Sequence, residues 1–138
     1  MAFQLFTGPL LTVTEQSLNF GKSGEDLAAE FLKQNGYKIL ARNFRTKLGE
    51  LDIVALDKNT VCFVEVKTRS SAAFGLPQEA VFPAKQRQII KAALVFLQEK
   101  KLTDKFCRFD VAAVDFSQRQ PQIEIIKNAF ENNSQYAF

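Results

Sequence analysis

Between Gly49 and Arg69 the chain reads GELDIVALDKNTVCFVEVKTR, and three ionisable residues stand inside its apolar runs: Asp52, Glu65 and Lys67. Side chains on a strand alternate between faces. Glu65 and Lys67 therefore share a face with Phe63, and Asp52 shares one with Glu50 and Val54. Ionised groups are rarely placed in such runs unless they are paired or bound to a metal. Two carboxylates on neighbouring strands can hold a hard divalent cation such as Mg²⁺, which takes oxygen ligands at about 2.0–2.1 Å and keeps several waters. A cation held this way can neutralise a phosphodiester and acidify a bound water. A lysine beside it can orient that water or stabilise charge developing on phosphorus. The competing explanation is a cross-strand salt bridge among the same three residues. Against it stand Ile53, Val54, Phe63, Val64 and Val66, which look buried; a buried ionic cluster adds little net stability.

The elements around these residues follow from local chemistry. Leu51 to Leu56 and Val61 to Thr68 are strands, joined by the turn residues Asp57-Lys58-Asn59. Upstream, Ser23 to Gln34 is a helix: Ser23 caps it, with Asp26 three residues on, and Leu27, Ala28, Phe31 and Leu32 form its buried stripe. Asn35-Gly36 stops it. Tyr37 to Phe44 is a strand, and Arg45 to Gly49 turns into the charged hairpin. Downstream, Ser70 to Gly75 is a loop of small residues. Pro83 opens a second helix that runs to about Lys100, with Ile89, Ile90, Ala93, Leu94 and Leu97 on its apolar face. Phe106 to Phe116 is a strand with Asp110 embedded in it, and Gln122 to Lys127 is the last strand. The apolar hairpin needs cover on both faces, which the two helices can give, so the class is α/β. Residues 1–20 read as an N-terminal extension, 21–127 as the domain and 128–138 as a C-terminal tail.

Composition removes several chemistries. The chain has no histidine, which excludes Ser-His-Asp triads, HExxH zinc sites and any histidine base. Cys62 and Cys107 fall in apolar strand-like runs and read as buried reduced thiols. The N-terminus lacks the pattern of a signal peptide and no window approaches a membrane span, so the expected location is cytoplasmic, with no membrane partner. The net charge is +3. From Tyr37 to Lys91 there are ten Lys or Arg and five Asp or Glu, and three of those acids lie in or beside the candidate site. The basic excess thus surrounds the motif. Arg45, Lys47 and Arg69 flank it as either surface charge or phosphate contacts. Lys85, Arg87 and Lys91 form either a solvated helix face or a second DNA-contacting stripe. Glu25, in the first turn of the first helix, either answers the helix dipole or reaches a metal.

Asp52 followed after a turn by Glu65-Val66-Lys67 resembles the D…(D/E)xK pattern of the PD-(D/E)XK nuclease superfamily, and the order of elements is that of its core. More narrowly, GKSGEDLAAEFLKQNGYKILARNFR, LGELDIVA, FVEVKTR, AFGLPQEAVFPAKQRQI and RFDVAAV resemble the YraN family of small bacterial proteins, themselves similar to archaeal Holliday-junction resolvases. The likeness spans about Gly21 to Ile126. It implies a restriction-endonuclease-like α/β/α fold of three layers around a mixed five-stranded sheet, in the order α-β-β-β-α-β-β. It implies Asp52 and Glu65 as ligands of Mg²⁺ or Mn²⁺, the backbone carbonyl of Val66 as a third, Lys67 as the catalytic lysine and Glu25 as the first-helix acid. Arg45, Lys47, Arg69 and Lys85 would then meet nucleic acid. Leu51 departs from the pattern, which often has proline there, and Glu50 adds an acid nearby. The implied activity is that of a metal-dependent endonuclease on DNA, with branched (Holliday-junction-like) or damaged DNA as candidate substrates, and a homodimer would suit symmetric cutting. The alternatives are a nucleic-acid-binding module with little turnover, and an interaction domain whose acid/lysine cluster is structural.

Overall fold

The computed structural model describes residues 23–69 and 81–131. The extension at 1–20, the loop at 70–75 and the tail beyond 131 lie outside them. The first helix, α1 (Gly24–Gln34), is closed at its start by a reciprocal cap: Asp26 N–H donates to Ser23 Oγ at 3.1 Å and Ser23 N–H to Asp26 Oδ2 at 3.4 Å. Gly36, at φ 86°, turns the chain out of it. Then follow β1 (Lys38–Arg45), β2 (Glu50–Asp57), β3 (Thr60–Arg69), α2 (Pro83–Glu99), β4 (Phe106–Asp115) and β5 (Gln122–Phe130). The expected element order is found.

The five strands lie in the sheet in chain order. β1, β2 and β3 form an antiparallel meander, β4 and β5 an antiparallel pair, and β3 and β4 run parallel. A parallel pair needs a long crossover, and α2 lies within it. The sheet is therefore mixed and β3 is its central strand. Leu27, Ala28, Phe31 and Leu32 of α1 pack on one face, against Ile53, Ala55, Cys62, Val64, Ala112 and Val114. Ile89, Ile90, Ala93 and Phe96 of α2 pack on the other, against Val54, Val61, Phe63, Val111 and Ile126. Three α/β/α layers result.

Three details differ from the sequence expectation. Cys62 is buried as expected, but Cys107, near the start of β4, is exposed. Leu94 and Leu97 are only partly buried, whereas Phe96 is fully buried and meets Phe44 and Phe63 edge-on, at ring distances of 5.2 and 6.2 Å. The last strand runs beyond Lys127 to Phe130. Its pairing with β4 shifts register between Phe109 and Val111, Asn128 takes a φ of 54°, and Phe130 stacks on Phe109 at 5.0 Å. The bulge takes up the polar Asn128 and returns an aromatic ring to the core. Among the described residues no helix is long and apolar enough to cross a membrane.

Candidate active site

The site forms where β2 leaves β3. Their antiparallel pairing holds from Asp57 opposite Thr60 as far as Ile53 opposite Val64 and stops there. One residue further along β2, the Asp52 side chain replaces the missing backbone partner: Val66 N–H donates to Asp52 Oδ2 at 2.9 Å. Alternation breaks at the same point, since Leu51 joins the same core cluster as Val54. The slot between the strands is thus bridged by a carboxylate. That fixes the Asp52 rotamer with one of its oxygens.

Glu65 lies on β3 beside this slot and is buried. Its carboxyl is pushed up from about 4.5 to about 7, first by burial and then by the charge of Asp52, with Lys85 opposing; its protonated form also hydrogen-bonds Asp52, and Lys67 opposes the rise further. Two carboxyls in such contact cannot both ionise cheaply without a cation. Two cations approach, and both approach the same oxygen: Lys67 Nζ is 3.9 Å and Lys85 Nζ 3.8 Å from Glu65 Oε1. Both separations exceed hydrogen-bond length, so neither lysine satisfies the carboxylate directionally.

Lys85 belongs to the first turn of α2 and also lines an open hollow of about 390 Å³ with Arg45, Thr46, Lys47, Leu48, Gly49, Glu50 and Gln88. The loop before β2 is shaped by Thr46, whose hydroxyl accepts the N–H groups of Leu48 and Gly49, each at 3.0 Å, and donates to the Gly49 carbonyl. Gly49 is there for closeness: a Cβ would lie 2.6 Å from the Gln88 carbonyl oxygen. The loop therefore rests on α2, and Lys85 joins the hollow to Glu65.

The expected site residues divide accordingly. Asp52, Glu65 and Lys67 are together, with Val66 between Glu65 and Lys67 in sequence and tied to Asp52 by its N–H. Of the basic residues, Arg45, Lys47 and Lys85 share the hollow, with Arg45 3.6 Å from Glu50. Arg69 lies two residues beyond Lys67 on β3, across the parallel ladder from Asp115, whose carboxyl it helps to lower. Glu25 is held by β1: its Oε1 accepts Asn43 Nδ2 at 2.7 Å and Arg42 Nη2 at 3.2 Å, and the same guanidinium nitrogen reaches Asp26 at 2.6 Å. Among the described residues no three acids gather as a ligand set. The contact of Lys85 with Glu65 had no local signal, because it joins α2 to β3 across the layers. Only the position of Lys85 behind Pro83, in a helix start without acids, marks it.

The donors suit a hard cation. Asp52 and Glu65 offer carboxylate oxygens only, and the charge of Asp52 raises Glu65 after burial does. Of the two thiols, Cys62 is buried and pushed up to about 12, first by burial. Two carboxylates and several waters are a usual arrangement for Mg²⁺.

A second ionic cluster lies toward the other end of β2 and β3. Arg108 Nε donates to both oxygens of Asp110, at 3.1 and 3.0 Å, and its Nη2 donates to Tyr37 Oη at 2.9 Å and Asp57 Oδ2 at 3.1 Å. Asn128 N–H adds a further bond to Asp110 Oδ1 at 3.1 Å. Burial pushes the Asp110 carboxyl up, against the pull of Arg108 and Asn128.

A three-layer α/β/α domain with two carboxylates and a lysine at the splayed mouth of its central strands is the class of protein described so far. The chain belongs to the uncharacterised protein family UPF0102, whose family model matches residues 24–114. A UPF0102 protein of Geobacter metallireducens is 54% identical over 113 residues, which cover 82% of this chain and 93% of that one. A UPF0102 protein of Syntrophus aciditrophicus is 50% identical over 116 residues, 84% of this chain and 91% of its own length. One of Geobacter sulfurreducens is 55% identical over 112 residues, covering 80% and 88%.

Proposed function

We propose that this protein is a divalent-metal-dependent endonuclease acting on DNA, with branched or damaged DNA as the substrate class. The observation that carries the proposal is the pairing of Asp52 with a buried Glu65 whose carboxyl is raised to about 7, beside Lys67. Asp52 and Glu65 would hold Mg²⁺ or Mn²⁺, with the Val66 carbonyl as a third donor. The cation would supply neutralisation of a phosphodiester oxygen and a more acidic water. Asp52 keeps its orientation through Val66 N–H, so the pair is preorganised. Lys67 places an ammonium beside Glu65, where it would stabilise charge developing at phosphorus. Arg45 and Lys47 would take neighbouring phosphates in the hollow. The likeness of the motif to PD-(D/E)XK nucleases supports the same reaction.

The test is a cleavage assay on linear, flapped and four-way-junction DNA with Mg²⁺ or Mn²⁺, run beside Lys67→Ala. Metal-dependent cleavage should fall in the variant by on the order of 10²-fold or more while metal binding is kept. Asp52→Asn and Glu65→Gln should each weaken metal binding without weakening metal-free DNA binding. Absence of measurable metal affinity in the wild type would sink the enzyme proposal. The alternative function is DNA binding without turnover. Tight binding with no cleavage of any of the three substrates would select it.

A further inference from the structure

We infer that Lys85 is a metal-responsive phosphate contact: its ammonium lies beside Glu65, and passes to the substrate backbone when a cation takes its place there. The inference rests on the function proposed above and assigns how metal and polyanion binding are coupled.

Three features carry it. Both ammonium groups converge on one oxygen, Glu65 Oε1, so the two lysines share a single charge that neither bonds directionally. Their surroundings differ, although the side chains are similarly exposed, at 33% for Lys67 and 39% for Lys85. Lys67 projects from the central strand of the sheet, where its backbone lies opposite Ala113 of β4. Lys85 stands at the first turn of α2, on the wall of the hollow that also holds Arg45 and Lys47. Finally, the place beside Glu65 Oε1 that a cation would take is the place both ammonium groups approach. A divalent cation between the carboxylates leaves an excess of two positive charges in a partly buried place, where screening is weak. The ammonium on the wall of the hollow is the one displaced. A phosphate in the adjacent hollow is then its nearest source of compensation.

Coupling of this kind is reciprocal: whatever factor metal adds to DNA affinity, DNA adds to metal affinity. Ca²⁺ is the probe, since binding can be read without relying on turnover. Calorimetry gives its affinity for the full chain, and fluorescence anisotropy gives affinity for a four-way-junction DNA with and without it. In Lys85→Met the affinity for Ca²⁺ alone should rise by about 3–10-fold, because a competing cation is gone. The enhancement of DNA affinity by Ca²⁺ should fall by about 5-fold or more. Lys85→Arg keeps the charge and should keep the enhancement. Lys47→Met should weaken DNA binding by the same factor with and without Ca²⁺. If the wild type shows enhancement and Lys85→Met shows it equally, with unchanged Ca²⁺ affinity, the inference is overturned while the proposed function stands. If the wild type binds neither Ca²⁺ nor DNA, both fall.

Discussion

Two acids are buried in the sheet, Glu65 at the open mouth of β2 and β3 and Asp110 on the neighbouring β4, and they are treated differently. In the Asp110 network, which reaches Asp57 at the closed end of the hairpin, both oxygens of Asp110 accept from Arg108 Nε and one also accepts Asn128 N–H, while the rest of the guanidinium is taken up by Tyr37 and Asp57. At the open end, Glu65 has another carboxyl beside it and two ammonium groups beyond hydrogen-bond length. Burial pushes both acids up. What separates them is the partner: a guanidinium and a backbone amide for Asp110, a second carboxyl for Glu65. A carboxyl set against a guanidinium is matched in charge, whereas two carboxyls set together are not.

The largest expected effect breaks the closed end. Arg108→Met would leave Asp110 buried without its partner and should lower unfolding free energy by about 3–5 kcal/mol, read from denaturant midpoints. Metal binding by the folded fraction should be unchanged. An effect under about 1 kcal/mol would mean that this network is not structural, and the contrast would collapse.

The pH response of the open end comes next. Glu65 has a folded value raised from about 4.5 to about 7, so between these values the folded state binds more protons than the unfolded one. The stabilising contribution of its protonated form is complete below about 4.5 and is lost as pH rises through about 7. Metal-free protein should therefore lose on the order of 1–3 kcal/mol across that window from this group. Glu65→Gln should remove that slope, and Mg²⁺ added at about pH 8, above the raised value, should recover the loss in the wild type alone. A wild-type slope identical to that of the variant would show that Glu65 ionises without penalty.

The smallest effects sharpen the contrast at the surface. Charge reversal at Lys47 and Arg45 should reduce the salt dependence of DNA binding, by about 0.9 in log–log slope for each phosphate no longer neutralised. Reversal at Lys105, which bonds Asn59 at the closed end, should leave the slope unaltered. Equal changes at both ends would mean that binding follows net charge and not the hollow.

Much of the architecture is legible locally. Ser23 and Asp26 mark the start of α1 by their spacing, and Pro83 marks that of α2. Alternation in β3 puts Glu65 and Lys67 on one face because β3 is regular. Alternation says less about β2, because it breaks where Asp52 bridges the slot, and only pairing with a neighbour reveals that. Arg42 and Asn43 could not be assigned to Glu25 from spacing: Asn43 takes a φ of 51°, which the pattern of β1 does not announce. Asp110 stands out as an acid in a strand, but the residues around it come from β2, β5 and the start of β1 as well as its own strand. Contacts between layers depend on how helices dock, and no local rule encodes them.

The parallel pairing of β3 with β4 also orders events in time. The meander from β1 to β3 closes over short turns, while Thr60 meets Phe106 only after α2 has been accommodated. Loop closure favours the near pairings, so the meander should gain amide protection first during refolding, as pulsed hydrogen exchange would show. Asp52 and Glu65 would then be neighbours before Lys85 reaches them. If β4 amides were protected before those of β1 and β2, that sequence would be wrong. If it is right, the nascent chain carries an acidic pair with only Lys67 for company, and divalent ions present during folding would accelerate or trap an early intermediate of this domain.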